Sequence, residues 1–410
     1  MNHSMQLSAS RCLFFSIFCF IMLFAGAQEE REWEEIEDMP SNRHHPVTFT
    51  IDSFGYAATG WNSFVGPTDD FYRYDPKKDE WETLPDFPGA IRSFGIGFSY
   101  KGKGYLGFGA NLTTYLNDIW EYDAATESWA FVTSCPCSGR RHPALLILDD
   151  MLYVGLGDDA TGDLRDWWRY DMVEDDWDQM DNLPALARHH PFQFVADSQL
   201  FVGFGHGGPI IYRDWYTFDT EDEEWVTLDD FMDEARVAGT QFSHDSFGYV
   251  LSGDGSDHSF MQEGEFWQYN PRDDDWTEMP PHPGISIWAP GSFVIEDTIY
   301  LFGGENRQTG NIQDEGWKFQ LKDTPPPPLG NAEPPSEYLG LYPNPVGSEL
   351  WIDASFGIVS IVVFDLSGNK VMHEMGNTKS LQVSNLDAGA YIAVVSKEGG
   401  ERHIAKFIKA

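Results

Sequence analysis

Along most of this chain apolar residues come in short runs that alternate with polar ones, at the spacing of strands rather than helices. PVTFTI, IGFSY, ALLIL and FQFVA are such runs, each followed after a turn by a second run such as GYLGFG, MLYVGLG or LFVGFG. A third segment reads FYRYD, IWEYD, WWRYD, WYTFD or FWQYN, and a fourth carries a tryptophan. Turns such as DPKKDE, DMVEDD, DTEDEE and NPRDDD join the third to the fourth and gather acidic charge on one face. The pattern predicts units of four short strands hinged by Gly and Asp turns, with no amphipathic helix.

The unit repeats on a fixed beat. Trp33, Trp81, Trp129, Trp177, Trp225 and Trp276 are separated by 48, 48, 48, 48 and 51 residues. An aromatic at Tyr56, Tyr105, Tyr153, Phe201, Tyr249 and Tyr300 is followed four positions on by Gly60, Gly109, Gly157, Gly205, Gly253 and Gly304. An acidic residue then stands at Asp70, Asp118, Asp166, Asp214, Glu265 and Glu315. A period this long and regular signals stacked supersecondary units. Glycine after the second strand suits a backbone that turns or crowds near a central axis.

The same count predicts how the repeats close. In the first five units the next tryptophan lies 11 positions beyond the acidic residue, but 11 beyond Glu315 is Pro326, inside a proline run. The sixth unit therefore lacks its own fourth strand, while the strand around Trp33 precedes the first complete unit. Placing residues near 31–37 in the sixth unit removes both open edges. The expected fold class is all-β: a six-bladed kelch-like β-propeller over 28–322, plus a small C-terminal Ig-like β-sandwich. The carrying elements are Arg near the first strand, Tyr then Gly ending the second, Tyr-Asp in the third and Trp in the fourth. Over roughly residues 31–322 this set resembles the kelch family. The double glycine common in that family is intact only at Gly303-Gly304, most other blades reading GFG or GLG.

The ends of the chain read differently. Arg11, the apolar run from Cys12 to Phe24 and the small residues Ala25-Gly26-Ala27 predict a signal peptide over 1–27. Cleavage after Ala27 leaves Cys135 and Cys137, too few for a disulfide framework, and no membrane span in the mature chain. A Pro-rich linker occupies 323–337 and cannot continue a sheet. Strand-like runs LWIDA, VSIVVFDL, LQVSNL and AYIAVVSK then build the module at 338–410. It resembles the C-terminal sorting domain, of type A, of the type IX secretion system of Bacteroidota. The matching residues are Tyr342-Pro343-Asn344-Pro345, Asp365 with Gly368, Asp387 through Gly389 to Tyr391, and Lys406-Phe407-Ile408-Lys409. That resemblance implies the type IX machinery as a partner, and a secreted or outer-cell-surface location.

Charge narrows the ligand. With 26 basic against 66 acidic side chains the formal net charge is −40, which repels nucleic acid and anionic lipid alike. Against this background Arg43, Arg92, Arg140, Arg188 and Arg236 recur at the start of each first strand, with Ile287 breaking the series. Two positions on come His45, His142 and His190. The arginines admit two readings. They pair with carboxylates or carbonyls between blades, or they ring a funnel mouth and capture carboxylates or anionic sugars. The histidines are expected to lie apart around the ring, so no shared metal and no cofactor is expected. Cys135-Pro136-Cys137 suits a disulfide or two soft ligands, and DGSDH at 254–258 lacks a full calcium-loop pattern.

The function expected is a secreted or cell-surface module that binds a protein or an anionic glycan. The alternative is a sugar-active enzyme resembling the sialic acid mutarotases, a kelch group of epimerases. It would need an acid or base at the funnel, such as Asp158 or Glu305 on the rim.

Overall fold

The computed structural model describes residues 31–322, 339–342, 346–354, 357–365, 370–376, 378–397 and 402–409. The expected signal peptide at 1–27, the expected linker at 323–337 and Pro343, Asn344, Pro345 and Gly368 lie outside the described residues. The chain divides into two compact units at Asp323/Thr324. Among the described residues the structure is all-β, and no helix is long and apolar enough to cross a membrane.

In the first unit six antiparallel four-stranded sheets follow one another. Blade one is built from Val47–Ile51, Phe54–Ala58, Phe71–Asp75 and Glu80–Leu84, and blades two to five repeat that order. Blade six takes Gly291–Ile295, Thr298–Phe302 and Gly316–Gln320 from one end of the unit and Glu34–Ile36 from the other. Ile36 lies opposite Gly316 and Glu34 opposite Lys318. The innermost strand of each blade packs on that of the next, and Val47–Ile51 packs on Gly291–Ile295, so the six form a closed ring.

The alternation in the sequence becomes burial. In Val47–Ile51 the odd residues are buried, and Phe49 meets Tyr56, Phe71 and Tyr122 at 5.3–6.4 Å between ring centres. Tyr122 belongs to blade two, so the core runs between blades rather than within one. The tryptophans also work between blades. Indole N–H of Trp81 donates to Glu37 carbonyl at 3.0 Å, that of Trp225 to Asp181 at 3.0 Å and that of Trp33 to Pro280 at 2.9 Å. Each acceptor lies four residues beyond the preceding tryptophan, which ties neighbouring repeats in step.

The second unit is a sandwich. Leu339–Tyr342, Glu349–Ala354 and Ser380–Gln382 form one sheet; Lys370–Met375, Ile358–Asp365, Gly389–Lys397 and Arg402–Lys409 form the other. Leu350, Ile361, Val363, Val395 and Phe407 fill the space between them. Tyr391 stacks on Phe407 and its hydroxyl donates to the carbonyl of Asp387 at 2.9 Å, pinning the corner before the Gly389–Lys397 strand. Lys406 and Lys409 flank buried Phe407 on the last strand.

Candidate functional site: the axial histidine cluster

The five arginines are wholly buried, at 0% exposure. In blades one to four each guanidinium reaches both carboxylate oxygens of its own blade's aspartate, Asp70, Asp118, Asp166 or Asp214, at 2.5–2.8 Å. It also donates to the carbonyl ending the second strand, at Thr59, Phe108, Leu156 or Phe204, at 2.7–3.0 Å. Burial pushes the Asp70 and Asp118 carboxyls up, but bonds from Arg43 and Arg92 hold them below their ordinary value. Blade five substitutes Glu265, which meets only one nitrogen of Arg236, at 2.6 Å; its Nε and Nη1 are unpartnered and burial lowers its pKa.

The backbone of the same residues sutures the ring. N–H of Gly60, Gly109, Gly157, Gly205, Gly253 and Gly304 donates to the carbonyl of Arg92, Arg140, Arg188, Arg236, Ile287 and Arg43, at 2.8–3.3 Å. Every one of these bonds crosses from a blade to the next, the last closing blade six on blade one. Glycine is required at these crossings: at Gly157 φ is +87° and a Cβ would stand 2.4 Å from the Arg141 carbonyl. The arginines are thus clamps within the blades, not an exposed anion-binding ring. The guanidinium charge is already matched by carboxylate and carbonyl oxygens.

The funnel is lined instead by the residues that follow. After each arginine position come His44, Ser93, Arg141, His189, Val237 and Trp288, and after each suture glycine come Trp61, Ala110, Asp158, His206, Asp254 and Glu305. The two sets pair blade by blade as single antiparallel bridges, from His44 with Trp61 to Trp288 with Glu305. One step further in, His45, Phe94, His142, His190, Ala238 and Ala289 form the innermost ring. All six adopt positive φ, between 50° and 64°. Belt bonds run from His45 N–H to Ala289 carbonyl, His142 to Phe94 and Ala289 to Ala238, at 2.6–2.9 Å.

That left-handed backbone brings the three histidines together, where separation around the ring was expected. Nε2 of His45 lies 2.9 Å from Nε2 of His190, and the His142 and His190 rings stack with centres 3.5 Å apart. His44 and His189 stand beside them, with His206 tilted against His189 at 3.8 Å and His258 beyond His206 at 4.8 Å. The inner trio caps an axial cavity of about 570 Å³ lined by the inner strands. All three rings line that cavity. Burial first, and repulsion from neighbouring histidines and Arg141 second, pull the pKa of His45 and His142 well below the ordinary imidazole value. His190 follows by burial and its histidine neighbours, while His44 and His206 fall to about 4. At neutral pH His44, His45, His142, His190 and His206 are uncharged, and each of these rings offers a lone pair.

Carboxylates stand behind the rings. Asp158 pairs with Arg141 and meets Nδ1 of His142 at 3.3 Å; Asp163 accepts from Nδ1 of His189 at 2.6 Å. Asp254 is buried at 1% exposure with one oxygen unpartnered. Burial pushes its carboxyl up to about 6, against the pull of Arg307 at 3.6 Å. Glu305 is half-buried on the adjacent hairpin. Sequence reasoning missed His44, His189, His206 and Trp288, and weighed Asp254 only as part of an incomplete calcium loop. The available signal was the tripeptides HHP, RHP and HHP at 44–46, 141–143 and 189–191, in register with the clamps. Cys135 and Cys137 are joined in a disulfide away from this cluster, and Asn117 donates to the carbonyl of Cys135 at 2.7 Å.

Six sheets closed by the first strand, with an arginine clamp in five of them, define a kelch-type propeller. Residues 56–88, spanning Tyr56, Gly60, Asp70 and Trp81, match the Kelch motif. Residues 340–410 match the secretion system C-terminal sorting domain. Comparison with curated proteins finds no matching relative. The first unit is thus a six-bladed propeller with a Kelch motif at 56–88, and the second carries a type IX secretion system C-terminal sorting domain at 340–410, which indicates secretion or surface attachment.

Proposed function

We propose that this protein is an extracellular or surface-attached binding module that takes a sugar at the clamped end of the propeller. The supporting observation is the asymmetry of the funnel. On blades one and six Trp61 stacks on His44 with the planes 5° apart, and Trp288 meets His44 edge-on at 4.9 Å. Blades three and four, across the ring, present Arg141 with Asp158, His189 with Asp163, and His206. A wall of aromatic faces opposite a wall of charged donors and acceptors suits a ring with an apolar face and hydroxyl edges. A glycan array probed with the full chain tests it. Bound glycans should lose at least tenfold in affinity on Trp61→Ala and on Trp288→Ala. A blank array, or binding indifferent to both changes, would overturn the reading.

One observation favours a sugar-active enzyme as the second reading. Asp254 holds a carboxyl near neutrality beside Arg307, where an acid or base of an epimerase or mutarotase is poised. Mutarotation or epimerisation of an array-positive sugar, followed by NMR, should then depend on Asp254 and stop in Asp254→Asn. Turnover that survives the change removes Asp254 from the chemistry.

A further inference from the structure

Seven of the chain's twelve histidines meet at one end of the axis, and three of them share a single point. We propose that His45, His142 and His190 form a three-imidazole site for a divalent transition-metal ion of the Zn²⁺ kind. One ring nitrogen from each lies within 4.8 Å of the other two. Nitrogens at ~2.0–2.1 Å from a tetrahedral ion stand roughly 3.3 Å apart, so small ring rotations seat the ion.

The hydrogen bonding points the same way. Nε2 of His142 and Nδ1 of His190 are buried with no partner, a cost that coordination removes once the His190 ring turns over. The far nitrogens of the other two faces are held. Asp158, itself pinned by Arg141, sits at Nδ1 of His142, and Nδ1 of His44 lies 2.7 Å from Nδ1 of His45. A carboxylate on the far nitrogen orients the imidazole and raises its basicity, as in many metal centres. Because the carboxylates stand one step back, the point itself offers nitrogen alone, which suits zinc and its neighbours and disfavours calcium and magnesium. Three protein nitrogens leave a fourth position for water or a ligand oxygen. The site and the sugar reading stand independently: the failure of one leaves the other in place.

The test uses the full chain, stripped with a chelator and titrated at neutral pH with Zn²⁺ in a calorimeter and with Co²⁺ in a spectrometer. One ion per chain is expected, with the intense visible bands of a four-coordinate Co²⁺ site. His142→Phe removes a ligand and installs the residue that Phe94 already carries at the same ring position and positive φ. It should weaken Zn²⁺ by roughly 100-fold or more and leave the melting temperature of the metal-free chain little changed; Asp158→Asn should cost about 10–100-fold. His190→Gln serves as the second variant should His142→Phe misfold. His373→Ala, on the exposed side of the second unit, should bind as the unaltered chain does. A stripped chain that binds Zn²⁺ no more tightly than these ligand variants, or a Co²⁺ spectrum of the hydrated ion alone, overturns the proposal.

Discussion

Arg140 joins three parts of one blade through a side chain with no exposure: the Ser138 carbonyl behind it, the Leu156 carbonyl at the end of the second strand, and both oxygens of Asp166. Arg140→Ala strands a half-buried carboxylate and two carbonyls and should cost about 3 kcal/mol, seen as a lower denaturant midpoint. A loss below ~1 kcal/mol would mean the clamp is decorative. Such a variant reports on folding and cannot serve as a control for ligand capture. His282 gives a residue-scale response to pH. It is held neutral at the seam of blades five and six, with Nδ1 3.0 Å from the Pro283 carbonyl and Nε2 2.9 Å from Ser252 Oγ. Burial lowers its pKa from 6.5 to about 4. The unfolded chain therefore takes up this proton first on acidification. The stabilisation is complete above pH 6.5 and is lost as pH falls toward 4, worth at most about 3 kcal/mol. Urea midpoints of the unaltered chain and His282→Gln should converge by that order between neutral pH and pH 4. A constant gap refutes it. At this scale the sequence was half legible. The arginine spacing was visible and its pairing was one of two open readings. The convergence of His45, His142 and His190 was hidden, because left-handed backbone at non-glycine residues leaves little trace in residue type.

Strands were the most legible elements. Alternation and turn residues place four in each repeat, and the sheets carry them. The 51-residue interval before Trp276 also has a structural counterpart in blade five. There the third and fourth strands lengthen to Gly264–Asn270 and Asp275–His282, with a register shift between Gly264 and Phe266. The loop ahead of them, which bears His258, reaches His206. The element with most leverage is the shortest strand of any blade. Glu34–Ile36 supplies the outer strand of blade six, and Trp33 packs on Phe319 and Phe266 at 5.2 and 5.9 Å. Deleting residues 31–37 should leave Gly316–Gln320 as an open edge and drive the purified chain into oligomers, read by light scattering. A monomer melting within a few degrees of the full chain would show the strand to be dispensable.

For the whole molecule, a formal charge of −40 is the dominant electrostatic fact. Self-repulsion among surface carboxylates destabilises the compact state and is screened by salt. The melting temperature should therefore climb between low ionic strength and about 1 M NaCl, whereas a flat or falling curve would show that local pairing already cancels the repulsion. The ring itself was readable because a repeat multiplies a weak signal by its copies. The funnel was not, because its chemistry lies where the copies differ: His44, Arg141, His189 and Trp288 occupy one structural position and share no residue type beyond the two histidines.

The seam between Glu34–Ile36 and Gly316–Gln320 also orders events in time. A chain made from its N-terminus holds its first strand unmated until almost the whole propeller exists. The export address at 340–410 is written only after that mate. Any product that stops short of residue 316 has neither a sealed ring nor the sorting domain. Chain order alone thus guarantees that the sorting domain comes only with a propeller long enough to shut.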